Sequence, residues 1–267
     1  MIGFLTRKTF YDMWDNLFRI VLLNLGFILI VALAVSIPVF AAQFFDSIAL
    51  IYAFSALGMI ICMIYLAAVS YSLKTVSDYG TFTFRDLLAG FKAGWAAGLV
   101  MGIYVFILLR IMPFVFFFYL TMEPRMLGLA LWAILLWISI FSLLSFQYYF
   151  TVYFRLSASS SIGTNLKKAF KKCIIIALDN TGLSIFLFIN SSILVLISVV
   201  LFFLFPGVVG VVLYIDEALR LRLLKYDYLE SNPEANRRQI PWDSLLIEER
   251  EKTGTRSFRN FIFPWKD

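Results

Sequence analysis

The chain has 267 residues, of which 61% are hydrophobic and 15% charged, and its mean hydropathy is +0.87. Soluble domains carry roughly 45–50% apolar and about 25% charged residues. This composition therefore excludes a water-soluble globule and predicts an integral membrane protein. The formal net charge is +6, and basic residues that face anionic headgroups account for it without a nucleic-acid partner.

Uncharged runs predict an all-α, polytopic membrane protein with about six transmembrane helices, because about 20 apolar residues cross a hydrocarbon core roughly 30 Å thick. We expect a membrane domain over residues 1–225 and a short cytoplasmic tail over residues 226–267. Segments with an amphipathic pattern before the first, third and fifth spans predict interfacial helices. The predicted spans are 20–45, 47–73, 94–120, 126–154, 176–205 and 206–224.

The third predicted span is interrupted by Arg110 and Pro113. Only 16 residues separate Gly94 from Arg110, counting Gly94 itself, which is about 24 Å of helix. One interpretation places Arg110 at the outer interface, where its side chain snorkels. The other makes it an intramembrane cation that neutralises an acidic partner or an anionic ligand.

The last apolar stretch is uncharged from Asn180 to Ile215, 36 residues. A single helix of about 54 Å is too long for one crossing, so two crossings are expected. We favour a turn at Pro206-Gly207, because proline and glycine are the stronger helix breakers; Asn190–Ser192 is the alternative. Asn24 and Asn190, both inside apolar runs, are predicted to hydrogen-bond between helices.

Ionisable residues at membrane depth are the default functional hypothesis in a membrane protein. Asp216 and Arg220 also have the four-residue spacing of a favourable helical pair. The alternative interpretation is that the charges after Ile215 mark the cytoplasmic end of the last helix, and that Asp179 belongs to a bend. The candidate intramembrane polar residues are Arg110, Asp179, Asp216, Glu217 and Arg220.

Catalytic and metal sites are not predicted. The chain contains no histidine, which removes the commonest general base and metal ligand. Cys62 and Cys173 lie in separate apolar segments, where cysteine behaves as a small hydrophobe. No zinc-binding spacing, phosphate-binding glycine pattern or nucleophilic serine motif is present, so we expect no catalytic residue, no metal and no cofactor.

Basic residues set the predicted orientation. Of the 23 Lys and Arg residues, all but Arg110 and Arg125 fall in the N-terminal arm, the loops after the second and fourth spans, or the tail. The positive-inside rule therefore predicts cytoplasmic N- and C-termini. The tail ends in aromatic residues. We expect them to do one of three things: fold back on the protein, enter the lipid headgroups, or dock on a partner. The candidate partner-docking residues are Phe258, Phe261, Phe263 and Trp265.

Three short motifs resemble the YesL-like family of bacterial integral membrane proteins. They are Trp14-Asp15-Asn16-Leu17, the segment Phe84-Arg85-Asp86-Leu87 with the Phe91-Lys92 that follows it, and Pro206-Gly207 before the last apolar helix. A Gly-Pro element expected after Pro38 is absent. The resemblance implies an accessory protein of the bacterial cytoplasmic (inner) membrane, often encoded near carbohydrate ABC transporters, and it carries over no catalytic residue.

These patterns predict a non-enzymatic accessory or scaffold subunit of a bacterial membrane complex. Its expected partners are the lipid bilayer and a membrane protein, with an ABC-type solute transporter as the candidate. The alternative is a small-solute transporter or channel that uses Arg110 together with Asp216, Glu217 and Arg220.

Overall fold

A computed structural model describes residues 1–156, 162–236 and 240–254 of the chain, and these residues form helices and connecting segments with no strand among them. The predicted all-α class is confirmed. The helices are α1 (Ile2–Asp15), α2 (Leu17–Ala41), α3 (Ile48–Ser77), α4 (Phe84–Phe106), α5 (Met112–Thr121), α6 (Arg125–Phe146), α7 (Tyr149–Leu156), α8 (Ile162–Asp179), α9 (Thr181–Val200), α10 (Gly207–Ser231), α11 (Trp242–Leu245) and α12 (Ile247–Thr253).

Within the described residues, five helices are long and apolar enough to cross a membrane: α2, α3, the continuous helix Phe84–Thr121, α6 and α9. Their outward faces expose apolar side chains such as Leu33, Trp137 and Leu196, which lipid can cover. The polytopic membrane architecture is therefore confirmed. The predicted sixth span corresponds to α10, which carries four charged residues between Asp216 and Arg222 and is therefore not among these five apolar helices.

Two further span boundaries also differ from the sequence prediction. The uncharged run 126–154 is divided, since α6 ends at Phe146 and α7 begins at Tyr149. The predicted span 176–205 starts inside α8, which ends at Asp179, and α9 is the part of it that forms one uncharged helix. The helix is interrupted at Asn180, whose φ of −132° and ψ of 45° lie outside the helical range.

A row of glycines lets α3 and α4 pack backbone to backbone. Glycine recurs every fourth residue of α4 from Gly90 to Gly102, on one face of the helix. A Cβ atom at Gly98 would lie 2.4 Å from Ile64 Cα, and one at Gly102 would lie 2.5 Å from Ile60 Cα. Small residues at this spacing typically mark close helix contacts in membranes. Besides α4, helix α3 also packs against α2, α7 and α10.

Helix α9 ends at Val200 and α10 begins at Gly207, so the turn covers Leu201–Pro206 and ends at the predicted break, Pro206-Gly207. The alternative turn, Asn190–Ser192, lies inside α9. The two helices form an antiparallel pair. At one end the Gly207 amide donates to Ser198 Oγ at 2.8 Å. At the other end the Asn180 amide donates to the Tyr226 hydroxyl at 2.6 Å. The chain thus returns to the end of the bundle from which α9 started.

Asn24 of α2 holds this turn in place. Its amide nitrogen donates to the Leu204 and Pro206 carbonyls at 3.0 and 2.8 Å, and its amide oxygen accepts from the Val209 N–H at 3.1 Å. Gly207 has φ +64°, and a Cβ there would lie 2.2 Å from Asn24 Oδ1, so only glycine fits. The predicted interhelical hydrogen bond of Asn24 is present in the structure. Asn190 instead donates to the Phe186 carbonyl of its own helix.

Candidate functional site

Helix α10 brings two adjacent carboxylates, Asp216 and Glu217, into the interior of the protein, where they are 1% and 0% exposed. Successive residues of a helix point about 100° apart, so the two side chains face different neighbours. A buried charge is costly unless it is paired and hydrogen-bonded. Each carboxylate meets its own cation in what we call the ionic network. Its charged members are Lys8, Asp12, Asp78, Arg155, Asp216, Glu217, Arg220 and Glu249.

Asp216 pairs with Arg155, which reaches it from the end of α7. Arg155 Nη2 lies 2.6 Å from Asp216 Oδ2, and Nε lies 3.3 Å from Oδ1, a two-point contact that fixes both side chains. The Ser77 hydroxyl also donates to Asp216, and Asp78 lies 3.4 Å from Arg155 Nη1. Burial alone would lower the pKa of the Arg155 guanidinium, but the two carboxylates raise it above its ordinary value. The pair joins α3, α7 and α10.

Glu217 faces α1 on the other side of α10. Lys8 Nζ lies 2.5 Å from Asp12 Oδ2 and 3.3 Å from Glu217 Oε1, and the Thr9 hydroxyl donates to Glu217. The lysine also donates to the Ser77 carbonyl at 3.3 Å. Burial raises the pKa of the Glu217 carboxyl well above its ordinary value, although the charge of Lys8 opposes that shift. Two carboxyl groups thus share one buried lysine.

Tyr79 stands between the cations of the network, in the short segment after α3. Its ring centroid lies 4.5 Å from Lys8 Nζ and 4.8 Å from Arg220 Cζ, within the range of cation–π attraction. Its hydroxyl donates to Glu249 Oε2 at 2.7 Å. Burial is the main cause that raises the pKa of the Tyr79 phenol, which keeps the hydroxyl a donor. The aromatic ring therefore links α1, α10 and the C-terminal segment.

The C-terminal helices α11 and α12 are bound to this end of the bundle. Arg220 Nη2 lies 2.8 Å from Glu249 Oε1, and Leu246 is fully buried in the hydrophobic core. Arg222 lies 5.5 Å from the Trp242 ring centroid. This part of the tail folds back on the protein. The candidate docking residues Phe258, Phe261, Phe263 and Trp265 lie outside the described residues.

The structure brings together Asp216, Glu217 and Arg220 but places Asp179 in a different cluster. Asp179 lies at the junction of α8 and α9, where it accepts from the Tyr226 hydroxyl at 2.8 Å and lies 3.3 Å from Lys225 Nζ. Burial is the main cause that raises the pKa of Tyr226 to about 12. This cluster attaches the end of α10 to the bend between α8 and α9.

Arg110 lies near the opposite end of the bundle. It belongs to a π-helical turn, Ile107–Ile111, and lines a cavity together with Tyr52, near the start of α3. The network contacts Ser77 at the other end of α3. Tyr52 and Ser77 are 25 positions apart on α3, which corresponds to a rise of about 37 Å along the helix. Arg110 and the charges of α10 therefore lie near opposite ends of α3.

Several network residues have no clear signal in the sequence. In the sequence, Arg155 directly follows an apolar run and Tyr79 lies a few residues after another. Glu249 lies in the polar tail, where a solvated side chain is expected. The four-residue spacing of Lys8 and Asp12 indicates a helical ion pair, but it does not indicate burial. Among the residues that the structure describes, no group of three or more His, Cys, Asp or Glu side chains is arranged to hold a metal ion.

Comparison with known proteins adds no relative. No protein-family model matches the chain, and no curated protein or solved structure matches it. The resemblance to the YesL-like family therefore stays a prediction.

Proposed function

We propose that the protein is a non-enzymatic accessory or scaffold subunit of a bacterial membrane complex. The observation that supports this proposal is the ionic network. Its cations and carboxylates join four helices and the segment that follows α3, and the buried members Lys8, Asp216 and Glu217 are paired within the protein. In a catalytic or transport site, ionisable groups face a substrate or a water-filled path. Here they hold helices together.

The transporter alternative has less support. It uses Arg110 and the charges of α10 along one path, whereas Asp216 and Glu217 are buried and already paired with cations of the protein. Arg110 also lines a cavity whose walls are mostly apolar, and such walls offer little to replace the hydration shell of a polar solute.

The proposed location is the inner membrane of a bacterium, with both termini in the cytoplasm. Helix α1 and helix α12 meet at the same end of the bundle, since Tyr79 contacts both Lys8 and Glu249. The excess of basic residues in the arm, loops and tail supports a cytoplasmic location for that end.

The proposed partner is a solute transporter of the ABC type, with the aromatic terminal residues as the contact. Helix α12 is held against α10 by Glu249 and ends at Thr253, so the segment that follows begins at the end of the bundle proposed to be cytoplasmic. Transporters of the ABC type carry their ATP-hydrolysing subunits on the cytoplasmic side of the membrane. A tail that starts at that side could contact these subunits. The resemblance to the YesL-like family supports the same class of partner.

Purification from the native membrane tests this proposal. We compare three forms of the protein in a gentle detergent: the full chain, a chain that ends at Gly254, and a full-length chain with Phe258, Phe261, Phe263 and Trp265 replaced by serine. The truncation keeps α12 and its contacts, so the helical content and thermal unfolding of all three forms should agree.

We expect transporter subunits to co-purify in a fixed ratio with the full chain and to be lost from both altered forms. The serine variant controls for chain length. A full chain that purifies alone, from cells whose solute uptake is unchanged when the protein is deleted, would contradict the proposal.

A further inference from the structure

A groove of about 560 Å³ lies between α2, α3 and the π-helical turn. Its volume is in the range of about 300–1,000 Å³ that is typical of small-molecule sites. Apolar side chains make up most of the lining, with Phe27 and Val31 from α2 and Met59 and Met63 from α3. An apolar chain would therefore be the natural occupant of its interior.

The groove opens on the lateral surface of the bundle. Val35 and Val39, on its α2 wall, are 58% and 62% exposed, and Leu109, on its opposite wall, is 54% exposed. All three belong to helices that are long and apolar enough to cross the membrane. Lipid, rather than water, is therefore the medium that borders the opening.

Arg110 is the charged residue of this lining. It is exposed, and among the described residues it has neither an ion pair nor a hydrogen-bond partner. Arg155 and Arg220, by contrast, each pair with two carboxylates. The π-helical turn that carries Arg110 also shifts the helical register, a feature that frequently occurs at functional sites. A guanidinium without an acidic partner, beside an apolar groove, complements an anionic amphiphile.

We propose that this groove binds one anionic phospholipid, with an acyl chain between α2 and α3 and the phosphate on Arg110. Guanidinium groups bind phosphate oxygens through two parallel hydrogen bonds, and such bonds gain strength where little water competes. The bilayer supplies the ligand at the mouth of the groove. The inference concerns a separate surface from the ionic network and does not depend on the proposed accessory role.

Native mass spectrometry of the purified, delipidated protein tests the site. Phosphatidylglycerol and phosphatidylcholine with identical acyl chains are added in turn, so that only the headgroup charge differs. Two variants remove the proposed contacts: Arg110→Gln removes the cation, and Val35→Trp narrows the mouth of the groove from an exposed position. Arg125→Gln is the matched control, because Arg125 is an exposed arginine at the start of α6 and is not part of the groove lining.

We expect one phosphatidylglycerol to bind the unaltered protein and the Arg125 variant in preference to phosphatidylcholine. Arg110→Gln should weaken phosphatidylglycerol binding roughly tenfold, the change expected when a charge-assisted hydrogen bond is lost. Val35→Trp should weaken the binding of both lipids.

Two results would overturn the inference. Equal losses in the Arg110 and Arg125 variants would mean that anionic lipid collects around the protein without a defined site. Unchanged binding in the Val35 variant would mean that the acyl chain lies outside the groove. Thermal unfolding of each variant, measured without added lipid, separates a binding defect from a folding defect.

Discussion

Replacing Asp216 by alanine isolates the central contact of the ionic network. The change removes the carboxylate 2.6 Å from Arg155 Nη2 and leaves the guanidinium largely buried, with Asp78 at 3.4 Å as its remaining acidic neighbour. Loss of one partner from a buried pair typically costs about 3–5 kcal/mol. Because Asp78 is partly exposed and still compensates part of the charge, we expect a loss of about 3 kcal/mol in the free energy of unfolding.

The pair formed by Asp243 and Arg250 provides a control with the same residue types. Arg250 Nη2 lies 2.9 Å from Asp243 Oδ1, but the Arg250 side chain is 51% exposed and the Asp243 side chain is 95% exposed. Exposed pairs contribute no more than about 1 kcal/mol. Asp243→Ala should therefore have a small effect, although the distance between the charged atoms is similar.

The measurement is unfolding by SDS from a mild detergent, followed by far-ultraviolet circular dichroism. The double variant Arg155→Met with Asp216→Leu removes both charges together and should recover much of the lost stability, since no unpaired ion remains. If Asp216→Ala costs no more than Asp243→Ala, then burial of the pair is not what sets its energy, and the structural role assigned to the network is wrong.

Two further predictions concern the interior of the protein. Asn24→Ala removes three hydrogen bonds to backbone groups, so at about 1 kcal/mol each it should cost roughly 3 kcal/mol. Asn190→Ala loses a hydrogen bond within its own helix and should cost little; similar losses in SDS unfolding would contradict this. Because burial raises the pKa of Glu217, its contribution to stability is full below the ordinary glutamate pKa of about 4.3 and is lost as the pH rises through the raised value. Glu217→Gln should flatten that decline, and equal pH slopes would refute it.

The helical class and most of the spans are predictable because a membrane crossing is a local property. Uncharged runs of sufficient length indicate α2 and α3 directly. The same reasoning fails at Gln147, where α6 stops inside an uncharged run, because nothing in hydropathy records a bend. Hydropathy alone also does not decide the environment of α10, since window averages do not say whether Asp216 and Glu217 face lipid, water or a partner.

The candidate site was harder to predict because its contacts join distant segments. Lys8 and Glu217 are 209 positions apart, and Glu249 meets Tyr79 across 170. Periodicity reports neighbours on one helix, not pairs between helices. The charges of α10 could be singled out because ionisable residues near apolar runs are unusual. Their partners lie in segments that look like ordinary polar loops and tails.

The glycine row of α4 has a mechanical consequence. With Gly98 and Gly102 against the backbone of Ile64 and Ile60, α3 and α4 touch through main-chain atoms that cannot change rotamer. A sliding or tilting movement between these two helices would have to separate their backbones along several turns. We therefore expect α3 and α4 to move as one rigid unit in any change of shape of this protein.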